Sequence, residues 1–296
     1  GTTMLELVGS YCTLANLGEY KPISFIRTIK GNDISWNNSS SVSKQVFKPT
    51  TAYFVNNMLQ NCTKNGTARK LNSFDFDICS KTGTNSAKDK NFNTDAYNVS
   101  YTSEHTMLFW QGGSDNNHPM SKAVTGGGRP TLMAKSMISK LYKDNPPVSF
   151  RMPDNIAKKK IDKYCLNNEH KLVLTSDNAP SKYSLEVYFD QHNLPSEIDK
   201  TFDKLTIEVF NVNNTSDKLT ISFSANPRLE YVLYHRNMLS KEEIVQTITD
   251  KQGKVVINID KKTTNKLFFD KYTLLPRYLD DDNNYIVGEP SSFYDL

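Results

Sequence analysis

The chain lacks any run of about 18 apolar residues, so its sequence predicts no membrane-spanning helix. It also lacks the charged and then apolar amino terminus that is typical of a secretory signal peptide. The chain contains enough apolar residues to form hydrophobic cores, since 37% of its 296 residues are hydrophobic and 11% are aromatic. At roughly 150 residues per domain, this length predicts a globular chain of two domains.

Cysteines and histidines are few and isolated. The four cysteines show no C-x-x-C spacing, and the five histidines stand alone, so the sequence predicts neither a zinc site nor a Ser-His-Asp arrangement. Cys12 and Cys62 fall at apolar positions of predicted helices, where cysteine behaves as a small hydrophobe. We therefore expect free buried thiols, although a disulfide is allowed if the protein works outside the cell.

Signals for nucleotide, nucleic-acid and metal binding are also weak. The glycines at 126–128 are followed by Arg129 and Pro130, not by the lysine and hydroxyl residue of a phosphate-binding loop. The net charge is +4, and basic and aromatic residues are not interleaved as a nucleic-acid surface requires. Residues 280–284 are acidic but lack the glycine and distal glutamate of a calcium loop, which favours a solvated turn. We expect no cofactor, no metal and no nucleic-acid partner.

The most informative segment is Lys81-Thr82-Gly83-Thr84, which follows the alternating residues 74–79. That alternation predicts a β-strand from 74 onward, with Lys81 and Gly83 on one face and Thr82 on the apolar face. An exposed lysine can hold a substrate carboxylate, and a neighbouring glycine lets an acyl group lie against the backbone. The segment therefore suggests an acyl-serine active site.

A nucleophile for such a site cannot be placed in this chain. Ser41-Val42-Ser43-Lys44 fits the pattern S-x-x-K by letter, but it lies in a polar, serine-rich stretch with no helix predicted around it. A lysine that acts as a base must lie one helical turn from its serine. The match is therefore interpreted as accidental.

Hydrophobic periodicity predicts helices and antiparallel strands around the lysine segment. The predicted elements are a helix at 5–14, a hairpin from 23–29 and 34–36, a helix that begins at Pro49 and ends before Gly66, strands at 97–102 and 106–110, and a helix at 130–143. The helix from Pro49 is expected to pack on the lysine strand. In the helix at 130–143, Leu132, Met133, Met137, Ile138 and Leu141 form the predicted apolar stripe.

Beyond residue 147 the pattern is mainly β. Residues 148–200 predict short mixed strands, and alternation begins afresh at Leu205 and continues to the strand at 255–259. One exception is predicted at 241–249, where Ser240 could cap a helix. Residues 201–296 therefore predict a small β-sandwich.

Several segments resemble class A penicillin-binding proteins, in the order that this family uses. Residues 1–20 resemble its pattern G-x-[ST]-P-L-E-x-x-x-A-Y-x-x-[FL]-A-N-x-G-x-Y, with Met4 in place of proline and Ser10 in place of alanine. Residues 51–59 and 66–68 resemble the helix and turn before the lysine strand. Residues 95–102 resemble the strand D-A-W-F-x-G-Y-T, with departures at Tyr97, Asn98 and Ser100. A further departure is Ser80, directly before the lysine segment, where glycine is usual.

The resemblance implies an α+β fold: a partial penicillin-binding transpeptidase domain, similar to serine β-lactamases, with an antiparallel sheet and flanking helices, followed by a small β-sandwich. It implies that residues 1–147 are the carboxy-terminal part of the transpeptidase domain and that 148–200 are a following segment and linker. Residues 201–296 would then be a β module resembling fibronectin type III or immunoglobulin-like domains, which could bind a wall or protein partner.

For function, the resemblance implies a D,D-transpeptidase that crosslinks peptidoglycan stem peptides through an acyl-serine intermediate, with the serine upstream of Gly1 and this chain inactive alone. Lys81 would support proton transfer and the electrostatics of the cleft. Thr82 and Thr84 would bind the carboxylate of a substrate or β-lactam beside Gly83, and the main-chain N–H of Thr84 would donate to the oxyanion. The implied location is the extracytoplasmic face of the membrane, reached through an anchor upstream. A non-catalytic wall-binding or interaction protein that retains the fold is the alternative.

Overall fold

An antiparallel sheet with the lysine segment on its edge organises the first part of the chain. The computed structural model describes residues 1–38, 42–89, 91–113, 118–236, 241–260 and 270–295. It divides into two units, of which the first comprises residues 1–157 and 190–192, and the second comprises 158–189 and 193–296. In the described residues, every helix is too short or too polar to cross a membrane.

Local sequence signals account for the helices of the first unit. These helices are α1 (Met4–Ala15), α2 (Pro49–Asn65) and α3 (Arg129–Leu141). Thr3 and Glu6 form a capping box at the start of α1, because the Thr3 side chain accepts from the Glu6 N–H and the Glu6 carboxylate accepts from the Thr3 N–H. Proline at the first turn of α2 and of α3 costs no hydrogen bond there. The three predicted helices are confirmed.

The strands of the first unit form a central sheet and two small antiparallel pairs. They are β1 (Glu19–Tyr20), β2 (Thr28–Lys30), β3 (Ser35–Asn37), β4 (Lys44–Gln45), β5 (Cys79–Ser86), β6 (Phe92–Tyr101), β7 (Thr106–Gly112) and β8 (Met120–Ser121). The central sheet has the order β5-β6-β7, all antiparallel, with β8 also paired to β6. β1 pairs with β4. β2 pairs with β3, which confirms the predicted hairpin.

Both faces of the central sheet are covered where it is apolar. On one face, Ala134 and Ile138 of α3 form a core with Leu71 and Ile78. Another core joins Cys79, Tyr101 and Phe150 to side chains of α1 and α2. As predicted, α2 packs on β5: the Cys79 thiol donates to the Asn56 carbonyl at 3.2 Å.

Two predictions for this unit are wrong in detail. Residues 74–78 are irregular instead of a strand, since Phe74 and Phe76 both turn to the same core and their rings lie 5.3 Å apart. In α3 the buried residues are Pro130, Thr131, Ala134 and Ile138, whereas the rest of the predicted stripe is exposed: Leu132, Met133, Met137 and Leu141. Small residues therefore face the sheet, which lets the helix approach it closely.

From residue 156 onward the chain is mainly β. Its strands are β9 (Ile156–Asp162), β10 (Leu174–Thr175), β11 (Ser184–Asp190), β12 (Ile198–Asp199), β13 (Glu208–Asn214), β14 (Lys218–Ala225), β15 (Glu230–Arg236), β16 (Glu243–Ile248), β17 (Gly253–Asp260), β18 (Asp270–Leu279), β19 (Tyr285–Val287) and β20 (Ser291–Asp295). The first four form one sheet in the order β11-β9-β10-β12.

The remaining strands form a sandwich. One sheet has the order β13-β14-β17, and the other has the order β16-β15-β18-β19, with β20 also paired to β18. Their inward residues share one core, with Ile221 and Phe223 from the first sheet and Leu233 and Leu274 from the second. The predicted helix at 241–249 is wrong, because β16 occupies this segment and pairs with β15. Its proposed cap, Ser240, lies outside the described residues.

A buried arginine ties the segment 158–200 to this sandwich. The Arg228 guanidinium, 7% exposed, donates to Asp162 Oδ2 at 2.8 Å and to Asp199 Oδ2 at 3.0 Å. It also donates to Thr201 Oγ1 at 2.6 Å. Burial acts to raise the pKa of Asp199, but the hydrogen bonds from Arg228 and Thr201 outweigh it, so this pKa is lowered.

Candidate active site

The segment Lys81-Thr82-Gly83-Thr84 lies within β5, at an open edge of the central sheet. β5 pairs with β6 in continuous register, with Lys81 opposite Val99 and Gly83 opposite Tyr97. In the described part of the chain no strand pairs with the other edge of β5. That edge therefore presents main-chain N–H and C=O groups that an extended ligand could pair with.

One face of this edge carries the lysine. Lys81 is exposed, and its Nζ donates to the Thr82 carbonyl at 2.8 Å. Gly83 shares this face with Tyr97 and Trp110, since the three residues are opposite one another across the sheet. A Cβ added at Gly83 would meet Tyr97 Cβ at 3.6 Å and Tyr97 Cδ2 at 3.7 Å, which is ordinary contact.

A carboxylate is fixed on the same face. Asp95 accepts hydrogen bonds from Trp110 Nε1 at 2.9 Å and from the Tyr97 hydroxyl at 3.4 Å. Burial acts to raise the pKa of Asp95, but these and neighbouring hydrogen bonds outweigh it and lower the pKa. Asp95 therefore stays ionised and orients both aromatic side chains.

The opposite face carries the two threonine hydroxyls of the segment. Thr82 Oγ1 lies 2.6 Å from Thr67 Oγ1, in the turn after α2. Thr84 Oγ1 accepts from the N–H of Gly126 at 3.0 Å. Each hydroxyl is therefore held from behind by a group outside β5, while Lys81 extends on the other face.

The glycines before α3 allow the loop at 126–128 to lie directly on β5. A Cβ on Gly126 would overlap the carbonyl oxygens of Tyr97 and Gly83, and one on Gly127 would come within 2.7 Å of the Thr67 carbonyl oxygen. Only glycine permits this approach of backbone to backbone. The residues after these glycines exclude a phosphate-binding loop, but nothing in the sequence predicts the contact of Gly126 with Thr84.

A separate cluster in the second unit has the ligand types of a metal site. Potential ligand atoms of Asp162, Cys165 and Asp199 lie within 4.8 Å of one another. However, both carboxylates already accept from Arg228, whose charge a divalent cation would have to displace. Burial raises the pKa of the Cys165 thiol to about 12, which opposes formation of the thiolate that a metal ligand must supply. The cluster is therefore assigned a structural role.

The structure brings together all the residues predicted for the site. Lys81, Thr82, Gly83 and Thr84 are consecutive on the open edge, and Thr67 and Gly126 complete their surroundings. Ser41 of the accidental S-x-x-K match lies outside the described residues. All four cysteines are free thiols, as expected, but only Cys79 and Cys165 are buried, whereas Cys12 and Cys62 are half-buried.

Residues 1–115 match the family model described as the penicillin binding protein transpeptidase domain. The chain is 26% identical over 243 residues to penicillin-binding protein 1A/1B of Bacillus subtilis (strain 168), covering 76% of this chain and 26% of that protein. It is 30% identical over 145 residues to penicillin-binding protein 1F of the same organism, covering 47% of this chain and 20% of that protein.

A solved structure supports the same fold. The crystal structure of penicillin-binding protein 1A from Haemophilus influenzae aligns with a TM-score of 0.51 and 18% sequence identity, covering 67% of this chain and 33% of that chain. The predicted α+β transpeptidase fold is confirmed. The chain spans about a quarter of the length of the first curated relative, 26%.

Proposed function

We propose that this chain, whose residues 1–115 match the penicillin binding protein transpeptidase domain, is part of a class A penicillin-binding protein and supplies the substrate-binding strand of a peptidoglycan D,D-transpeptidase. The reaction is an acyl transfer in which a serine attacks the carbonyl of a stem peptide. That serine lies in a segment outside residues 1–296, so this chain alone forms no acyl-enzyme.

The observation that carries the proposal is the open edge of β5. It presents a cation on one face and two hydroxyls on the other, beside a residue without a side chain. An extended peptide that ends in a carboxylate fits this edge, because its backbone can pair with the strand while its carboxylate meets the hydroxyls.

Each residue of the segment has a proposed role. The Lys81 cation stabilises developing negative charge and supports proton transfer in the cleft. The hydroxyls of Thr82 and Thr84 bind the carboxylate of a stem peptide or a β-lactam. The main-chain N–H of Thr84 donates to the oxyanion, a contact whose loss costs roughly 2.7 to 4 kcal/mol in other enzymes. Gly83 leaves room for the acyl chain.

The location and the domain roles follow from the same proposal. Stem peptides and β-lactams are the partners of the first unit, and the protein works on the extracytoplasmic side of the membrane. Residues 1–147 belong to the transpeptidase domain, 148–200 follow it, and 201–296 form a β module that binds the wall or another protein.

Labelling with a fluorescent penicillin tests the missing nucleophile. Residues 1–296 should give no covalent band on a denaturing gel, whereas a protein extended upstream to include an S-x-x-K helix should be labelled. Covalent labelling of the chain alone would contradict the proposal, and so would an extended protein that stays unlabelled.

The role of Lys81 is tested in that extended protein. Lys81→Ala should reduce the second-order acylation rate by about a hundredfold, because it removes a fixed cation from the transition state. Lys140→Ala, a change of another exposed lysine in the same unit, is the matched control and should leave the rate unchanged. Equal rates for the two variants would remove Lys81 from the site.

A further inference from the structure

A polar cluster lies buried behind the lysine strand, between the sheet and α3. Ser80, Asn98, Ser100 and Thr131 each have 0% exposed surface. Asn98 Nδ2 donates to Ser80 Oγ at 3.0 Å and to Thr131 Oγ1 at 3.1 Å. Its Oδ1 accepts from Ser100 Oγ at 2.6 Å. Buried polar groups without partners are costly, so this satisfied arrangement strongly favours one position of α3 on the sheet.

Gly126 of the loop at 126–128 connects this cluster to the open edge of β5 by hydrogen bonds. Thr131 Oγ1 donates to the Gly126 carbonyl at 2.7 Å. The N–H of the same glycine donates to Thr84 Oγ1. Asn98 is therefore linked to Thr84 through two intervening residues, although it is buried and Thr84 is exposed.

The chemistry of the donor groups sets the direction of each hydrogen bond between Asn98 and Thr84. The Nδ2 group of Asn98 can only donate, so Thr131 Oγ1 accepts from it and directs its own proton to Gly126. A backbone N–H can also only donate, so Thr84 Oγ1 accepts from Gly126. The O–H proton of Thr84 must then point to another acceptor, and the open edge of β5 is where a ligand would lie.

We propose that Asn98 is a positioning residue that, through Thr131 and Gly126, fixes the Thr84 hydroxyl as a hydrogen-bond donor to the ligand carboxylate. This assignment rests on the proposed function. Ser80, Asn98 and Ser100 all depart from the family pattern and all contact one another, so the cluster is a feature of this chain's site.

Amide hydrogen exchange in the full chain tests the link without any ligand. Thr131→Val removes the hydroxyl at nearly constant volume, and the Gly126 N–H should exchange about fivefold faster, the factor for one ordinary hydrogen bond. Asn98→Leu should act in the same direction. Thr131→Ser keeps the hydroxyl and should restore slow exchange at Gly126.

Two comparisons separate this effect from general destabilisation. The Val99 amide is the internal reference, and Thr13→Val is the control variant, because Thr13 is also buried and its hydroxyl donates to the Gly9 carbonyl within α1. Faster exchange at Gly126 alone supports the link. Equal acceleration at Gly126 and Val99, or unchanged exchange at Gly126 in Thr131→Val, overturns it.

Acylation of the extended protein tests the carboxylate. Thr131→Val should slow acylation by benzylpenicillin about fivefold but leave acylation by its methyl ester unchanged, because the ester has no carboxylate to bind. Thr131→Ser should restore the rate with benzylpenicillin. If both compounds slow equally, Thr84 is not the carboxylate donor. If the unsubstituted protein is not acylated, the proposed function fails together with this role, while the exchange result still decides the link.

Discussion

Arg228 shows how much one buried side chain can contribute. Its guanidinium neutralises Asp162 and Asp199, and its removal would leave both carboxylates without their counter-charge. We expect Arg228→Met to reduce the free energy of unfolding by about 3 to 5 kcal/mol in urea titrations. Lys158→Met is the control, since Lys158 pairs with Glu186 at the surface of the same unit and should cost about 1 kcal/mol or less. Similar losses for the two variants would contradict this account.

The lowered pKa of Asp199 gives the same network a pH dependence. A carboxyl group whose pKa is lower in the folded state stabilises the fold above its unfolded pKa of about 3.9, and this contribution is lost as the pH falls below that value. In Arg228→Met the burial of Asp199 remains and the cation is gone, so the folded pKa rises. The stability difference between the two proteins should therefore be smaller at about pH 3.5 than at pH 7. The free energies of unfolding are measured by urea titration at both pH values. If the difference between the unsubstituted protein and Arg228→Met is the same at about pH 3.5 and pH 7, the ionisation of Asp199 does not contribute to it.

At the scale of elements, the contact between the glycine loop and β5 makes a sharp prediction. Gly126→Ala places a Cβ against main-chain oxygens of Tyr97 and Gly83, which cannot rotate away, so the loop must move. We expect a loss of about 1 to 3 kcal/mol of stability and faster exchange of the amides in β5. Gly31→Ala is the matched control, because its Cβ would meet nothing within 4 Å. If Gly126→Ala is as harmless as Gly31→Ala, the close approach is not required.

Elements with a strong local period were predictable, and those decided by packing were not. The caps and prolines of α1, α2 and α3 mark helices whatever surrounds them. The segment 241–249 instead has a helix-like local pattern, but its backbone hydrogen bonds are supplied by β15, which makes it a strand. In α3 the larger apolar side chains lie outside because small residues allow closer packing on the sheet. Hydrophobic periodicity alone does not show which face of a helix packs on the sheet.

In the candidate site, too, features set by the local sequence could be predicted and features set by tertiary packing could not. The four consecutive residues from Lys81 to Thr84 could be read from the sequence, since strand alternation alone assigns their faces. Thr67 and Gly126 could not, because each meets the strand only through the tertiary fold. Three adjacent glycines are compatible with a close backbone contact, but the sequence does not say with which strand.

At the scale of the whole molecule, the position of Arg228 bears on the domain boundary predicted near residue 200. A polypeptide of residues 201–296 would retain Arg228 but lose Asp162 and Asp199, whereas residues 156–296 retain all three. We expect the longer polypeptide to unfold cooperatively and at a higher temperature than the shorter one, as measured by circular dichroism. Arg228→Met should destabilise the longer polypeptide and leave the shorter one unchanged or more stable. Equal melting temperatures for the two unsubstituted polypeptides would favour the boundary near residue 200.

The cluster of Ser80, Asn98 and Ser100 also restricts the evolutionary path by which such a site can arise. Ser80 can be introduced first, because its hydroxyl donates to the Val99 carbonyl at 3.1 Å without help from another side chain. Asn98 cannot, since its amide has Ser80, Ser100 and Thr131 as partners, and each missing partner costs about 1 to 3 kcal/mol. Stability therefore favours an order in which the serines precede the asparagine and in which reversion begins at Asn98.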